Sequence, residues 1–240
     1  GAGEKPTLAA LRALPAEQIL QAAGRNANSV IVDGYFFPKE PTAIYAAGEQ
    51  AKIPLLAGSN DAEQSGLLGT PENPPASYVA AFKELLATSF PGRVDEALKH
   101  YPAANDAEAR VAARDFASDR FIAYGTWKWV DLATRTGDRP SYYYYYVFGR
   151  PPTVKAKAEG TAGSGDRPAA VHSGEIEYAM GNLATNKVFA WTSEDYAVSK
   201  TLQDYFAQFI KTGNPNGAGL PEWPTYGSGY RQVIGFTAIG

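Results

Sequence analysis

The chain has 240 residues, 45% hydrophobic and 20% charged, with a formal net charge of −3. That balance suits one large folded domain, or part of a larger one, and offers no basic footprint for nucleic acid or anionic lipid. Cysteine is absent, so disulfides and thiolate metal sites are excluded. No apolar run reaches the length of a membrane span, and the start, GAGEKPTLAAL, lacks the charged and apolar regions of a signal peptide.

In chain order, TLAALRALPAEQILQAAG predicts two short helices, with Leu8, Leu11 and Leu14 on one face. Pro15 suits the start of the second helix and Gly24 its stop. VIVDGYFFP predicts a short extended piece broken by a turn, and KIPLLAG a buried strand closed by Gly58. SYVAAFKELLATSF predicts a helix through Val79, Phe82, Leu85 and Leu86. Asn105 to Thr136 also reads as helical, with Asn105 as N-cap. SYYYYYVF is a run of β-formers without polar alternation, which predicts a strand covered on both faces, as in a mainly parallel sheet flanked by helices. The long Pro- and Gly-rich loop GRPPTVKAKAEGTAGSGDRPA then leads to His172. Val198, Leu202, Tyr205, Phe206, Phe209 and Ile210 mark an amphipathic helix that stops near Gly213. RQVIGFT predicts a last short strand. Strands alternating with helices indicate an α/β protein.

Two histidines are available as bases. His100 ends a helical segment and reads as a solvent-facing terminal residue. His172 follows a strand and a long loop, among Ser173, Glu175 and Glu177, where α/β folds collect functional groups. In AGSNDAEQSG a strand delivers Asn60, Asp61 and Glu63 into a loop. One of these carboxylates could orient a histidine; a solvated acidic loop is the competing explanation. An opposed glycosidase pair is not demanded by the spacing. One good histidine with no HxxxH pair gives no metal signature, and nothing indicates a cofactor.

A nucleophile is the missing part. A serine elbow needs GxSxG, because the strained strand-to-helix turn requires small neighbours. No serine in the chain has glycine on both sides at that spacing; Ser164 fails because Ala162 occupies the earlier position. Ser173 lies beside His172 on an extended loop, where adjacent side chains point apart.

Three stretches carry a family resemblance. VDGYFFPKEPTAIYAAGEQAKIPLLAGSNDAEQSG, AVHSGEIEYAMGNL and SKTLQDYFAQFIKTGNPNGAGLPEWPTY resemble, in this order, the acidic-residue region, the histidine loop and the C-terminal helix and turn of type-B carboxylesterases. That family includes cholinesterases and para-nitrobenzyl esterases. The resemblance implies that residues 1–240 are the C-terminal part of one α/β-hydrolase domain with a mainly parallel sheet. It implies a Ser-Glu-His triad in which Glu63 is the acid and His172 the base. The serine would lie in an N-terminal segment or chain of the same enzyme, the substrate would be a small-molecule ester, and this chain alone would be inactive. The aromatic residues Phe116, Tyr124, Trp127 and the strand tyrosines could wall a pocket, although core packing explains most of them. Many family members are exported, an inclination that no residue here fixes. Two positions depart from the family pattern. Glu63-Gln64-Ser65-Gly66 replaces the usual Glu-Gly, which leaves Asp61 as reserve acid, and Ser173 replaces a frequent Gly. The alternative function is a cholinesterase-like binding or adhesion module without catalysis.

Overall fold

The structure is a computed structural model that describes residues 7–23, 30–69, 73–161, 167–228 and 232–234. The chain divides into two compact units, residues 1–44 and 45–240.

The first unit contains α1 (Leu8–Arg12) and α2 (Ala16–Ala23), and α3 (Pro41–Ala46) begins in it. The Thr7 side chain caps α1 by accepting the Ala10 N–H at 3.2 Å. The stop expected at Gly24 lies outside the described residues. VIVDGYFFP forms no strand. Its turn is organised by Asp33, whose Oδ1 accepts the N–H groups of Tyr35, Phe36 and Phe37 at 2.9, 2.9 and 3.1 Å. A short acidic side chain that bonds its own downstream backbone competes with sheet pairing.

The second unit is built on a three-stranded parallel sheet in the order β1 (Leu55–Asn60), β2 (Ser141–Tyr146), β3 (Gln232–Ile234). The strand register pairs Leu55 with Ser141 and Asn60 with Tyr146, so the carboxyl ends of β1 and β2 lie side by side. β1 does not stop at Gly58. Glycine is needed within the strand because an added Cβ would stand 2.3 Å from Cγ of Tyr144, whose ring lies against it.

Alternation along β2 sends its tyrosines to two different layers. Tyr142, Tyr144 and Tyr146 face α10 (Ser193–Thr212), packing with Val198, Leu202 and Tyr205 and with the fully buried Trp223. Trp223 meets the rings of Tyr142, Tyr144 and Tyr205 edge-on at 6.3, 6.4 and 5.1 Å. Each fully buried aromatic of this kind contributes about 2–3 kcal/mol from lost apolar surface. On the opposite face, α7 (Tyr124–Thr136) packs against β1 and β2. The run SYYYYYVF is thus a strand covered on both faces.

A second core joins α4 (Tyr78–Ser89), α5 (Val94–His100) and α6 (Asp106–Ser118) through Phe82, Leu86, Ala97, Ala109, Ala112 and Phe116. Small alanines on α6 let α4 approach closely, and Asn105 caps α6 by accepting the Glu108 N–H at 3.0 Å. The stretch from Asn105 to Thr136 is not one uniform helix. A π-helical turn, Asp119–Ala123, joins α6 to α7. Gly213 ends α10 in the left-handed region at φ 76°.

Candidate active site

Glu63 lies just beyond β1 and His172 beyond β2, both at the carboxyl edge of the sheet. Parallel strands deliver both segments there, and the backbones continue side by side. The Asp61 N–H donates to Tyr146 O, the Ala62 N–H donates to Ala170 O, and Ala62 bridges Val171 in parallel sense. Residues far apart in the chain are thereby held at a fixed separation.

His172 Nδ1 is 2.7 Å from Glu63 Oε2. The other carboxylate oxygen, Oε1, accepts the Asn60 N–H at 2.7 Å. Glu63 is buried, whereas half of the His172 side chain is exposed. With Nδ1 donating to the carboxylate, Nε2 is the acceptor, and it makes no hydrogen bond among the described residues. That is the arrangement a general base requires: one ring nitrogen oriented by a buried carboxylate and the other open.

Asn60 ties the acid and histidine segments together. Its buried amide Nδ2 donates to Val171 O at 2.8 Å and to Glu175 Oε2 at 2.5 Å. Ser173 adopts φ 60°, the sole non-glycine residue with positive φ among those described. The left-handed turn explains why glycine is favoured at this position in the resembling family.

Asp61, the reserve acid, does not meet the histidine. Its Oδ1 accepts the Ala170 N–H at 2.6 Å, and burial raises its carboxyl above the ordinary range, outweighing that bond and the Arg114 charge. It fixes the approach of the histidine loop instead. The altered sequence after Glu63 is accommodated locally: the Gln64 N–H reaches Ser118 Oγ at 3.3 Å, and Gly66 takes φ 84°. His100 is exposed at the end of α5. Ser164 lies outside the described residues.

Behind His172 the loop is braced by α9 (Ile176–Ala179) and α10. Asp195, fully buried, accepts from Arg167 Nη1 at 2.7 Å, Arg167 Nη2 at 3.2 Å, Tyr178 OH at 2.7 Å and the Thr192 N–H at 2.7 Å. Burial opposes its ionisation, but the guanidinium, Thr192 and Tyr178 together hold its carboxyl below the usual range. Arg150 adds a bond from Nε to Glu177 at 2.9 Å and one from Nη2 to Ser173 O at 3.3 Å.

One group at the site was not legible in the sequence. The Phe121 ring packs edge-on to the His172 ring, centroids 5.0 Å apart. Phe121 belongs to the π-turn, and a local change of helical register has no composition signal. Of the aromatic candidates, Phe116 is buried in the helical core, while Tyr124 and Trp127 stay partly exposed. Among the described residues no group of three or more His, Asp or Glu side chains could hold a metal ion, and no helix is long and apolar enough to cross a membrane.

A parallel sheet flanked by helices on both faces is part of an α/β-hydrolase fold. A model of the Carboxylesterase family matches residues 2–238, and the chain belongs to that family, as a C-terminal portion of the full-length enzymes. Carboxylesterase 5A of Felis catus is 28% identical over 239 residues, covering 91% of this chain and 41% of the relative. Carboxylesterase 5A of Canis lupus familiaris is 30% identical over 241 residues, covering 91% and 39%. The medium-chain fatty acyl-CoA hydrolase precursor of Anas platyrhynchos is 28% identical, covering 82% and 36%. Among solved structures, a PNB esterase has the same fold with a TM-score of 0.62 at 21% identity, covering 95% of this chain and 46% of that one. The chain therefore spans about two fifths of the length of these curated relatives.

Proposed function

We propose that this chain is the C-terminal part of a single α/β-hydrolase domain that hydrolyses carboxylic esters, with Glu63 and His172 as two members of a Ser-Glu-His triad. The 2.7 Å contact between His172 Nδ1 and Glu63 Oε2 carries this reading. The serine belongs to a segment of the enzyme outside these residues, because no serine here has an elbow sequence.

In the first half-reaction, Nε2 of His172 takes the serine proton as the serine oxygen attacks the ester carbonyl. The imidazolium then returns that proton to the departing alcohol, leaving an acyl-serine. In the second, Nε2 takes a proton from water, hydroxide attacks the acyl carbon, and the proton goes back to the serine. Glu63 holds Nδ1–H throughout and stabilises the imidazolium by charge. The Asn60 N–H keeps the carboxylate from rotating away. Backbone donors for the tetrahedral oxyanion come from the serine-bearing segment.

His172→Ala in the complete enzyme is expected to lower kcat for short-chain aryl esters by orders of magnitude. Near-normal turnover would remove His172 from the reaction. A fluorophosphonate probe on the same enzyme is expected to label a serine outside residues 1–240; a labelled peptide within them would overturn the assignment.

A further inference from the structure

The backbone that carries His172 is a tight turn. The Gly174 N–H donates to Val171 O at 2.8 Å, so His172 and Ser173 are the two central residues. Ser173 has φ 60°, and His172 is not among the residues with positive φ. A left-handed second centre after an ordinary first one is the type II pattern, a position that glycine or asparagine fills with least strain. A serine there brings its Cβ close to the following backbone. The type I turn spans the same number of residues, needs no left-handed centre and is the commoner form. His172 therefore stands on a turn that its neighbour in the sequence does not favour.

Two side chains from elsewhere hold this turn. The Asn60 amide donates to its first carbonyl, that of Val171, at 2.8 Å. Arg150 donates from Nη2 to the Ser173 carbonyl at 3.3 Å. Rotation about the Ser173 N–Cα bond swings that carbonyl relative to His172, so a donor fixed on it resists the rotation. The Arg150 donor is fixed. Its Nε bonds Glu177 at 2.9 Å, and its guanidinium lies over the Phe189 ring, 5.2 Å from the centroid. Glu177 is in turn held by the Asn186 amide. The Arg150 and Glu177 side chains are only 23% and 18% exposed. A planar guanidinium aims separate N–H groups at the carboxylate and at the carbonyl; a lysine ammonium has no such fork.

We infer that Arg150 is a positioning residue for the base: by holding the Ser173 carbonyl it keeps the turn left-handed and the His172 ring on Glu63. That the ring acts as a base rests on the esterase reading. The coupling of Arg150 to the turn does not.

The test is a double-mutant cycle in the complete enzyme. Arg150→Met is made in the parent and in the Ser173→Gly background, where the left-handed centre needs no outside hold. In the parent, kcat for a short-chain aryl ester is expected to fall about tenfold or more, with KM little changed. In the Ser173→Gly background the loss is expected to be smaller by about threefold or more. A lesser fall in the parent, or losses that agree more closely than that, would overturn the proposal; a merely structural arginine gives equal losses in both. Nuclear magnetic resonance of the enzyme with isotope-labelled histidine reads the geometry without turnover. The imidazole N–H resonance that vanishes in His172→Ala belongs to His172. Its exchange with solvent is expected to quicken about tenfold in Arg150→Met and to slow again when Ser173→Gly is added. An exchange rate unchanged by Arg150→Met, or a parent without this resonance, would overturn the proposal. If His172→Ala leaves turnover intact while exchange responds as expected, the esterase reading fails and the positioning of the ring by Arg150 stands. Should Arg150→Met not fold, Arg150→Lys keeps the charge beside Glu177 without the fork. Its loss in kcat is expected to be about threefold or more in the parent and to disappear in the Ser173→Gly background, and equal losses again count against the proposal.

Discussion

Glu63 spends one oxygen on His172 and the other on the Asn60 N–H, so no rotamer of the carboxylate improves both contacts. Glu63→Gln keeps the shape but presents an amide that must choose between donating to and accepting from Nδ1. The imidazolium then loses its counter-charge, and kcat is expected to fall about 10³–10⁴-fold with little change in Tm. Steady-state kinetics beside a melting curve separate the two effects. Ser173 provides a contrasting case. At φ 60° a side chain is strained, so Ser173→Gly is expected to change stability by up to about 1 kcal/mol in the favourable direction, read by denaturant titration.

Asp61 has a pH signature opposite to that of a paired carboxylate. Burial raises its folded-state value above the unfolded one, so its contribution is fully present at low pH and is lost as pH rises through the folded value. Asp61→Asn keeps an oxygen for the Ala170 N–H and removes that cost. The variant is expected to equal or exceed the parent in stability at neutral pH and to lose that advantage below about pH 4. Melting temperatures across pH check the sign.

At the level of elements, the histidine loop depends on how α9 is clamped to α10. Asp195 is buried under five donors, among them a two-pronged guanidinium. Removing Arg167, as Arg167→Met, leaves an uncompensated buried carboxylate and is expected to cost about 3–5 kcal/mol by chemical denaturation. Because the Asp195 carboxyl is held low, the pair's contribution is complete above the unfolded carboxylate range, near about pH 4, and is lost as pH falls through the lower folded value. In β1, Gly58→Ala drives a methyl into the Tyr144 ring and is expected to cost about 1–3 kcal/mol.

Periodicity made most elements legible, and its failures have physical causes. The tyrosine run announced β2 because aromatic residues without polar alternation suit a strand with no solvent face. Val198, Leu202 and Tyr205 were readable as a buried stripe, yet Ile210 is 81% exposed. Twelve residues of α-helix carry it about 120° round from Val198, beyond the buried arc. The π-turn was invisible because one inserted residue leaves composition unchanged. Gly58 was misread as a terminator since a strand glycine and a turn glycine look alike until a cross-strand ring occupies the space above one of them. Glu63 and His172 were legible as loop residues after strands. Their 2.7 Å contact depended on parallel pairing that no local pattern encodes.

For the whole molecule, the outer edge of β1 has no strand partner among the described residues. Such edges pair readily with other chains. The purified 240-residue chain is expected to self-associate with concentration in analytical ultracentrifugation, and co-expression with the proposed serine-bearing segment to suppress this. A monomer at all concentrations would mean the edge is already protected.

The Asn60 amide has a consequence for engineering. By bonding both the Val171 carbonyl and Glu175, it ties the segment that carries Glu63 to the segment that carries His172. A second polypeptide that brings only a serine would need to solve a single docking problem. On the proposed triad, this chain and a serine-bearing piece are expected to work as a two-piece reporter, dark when the pieces are apart and producing coloured product when they meet. Asn60→Ala would leave the pieces able to meet and dim the signal.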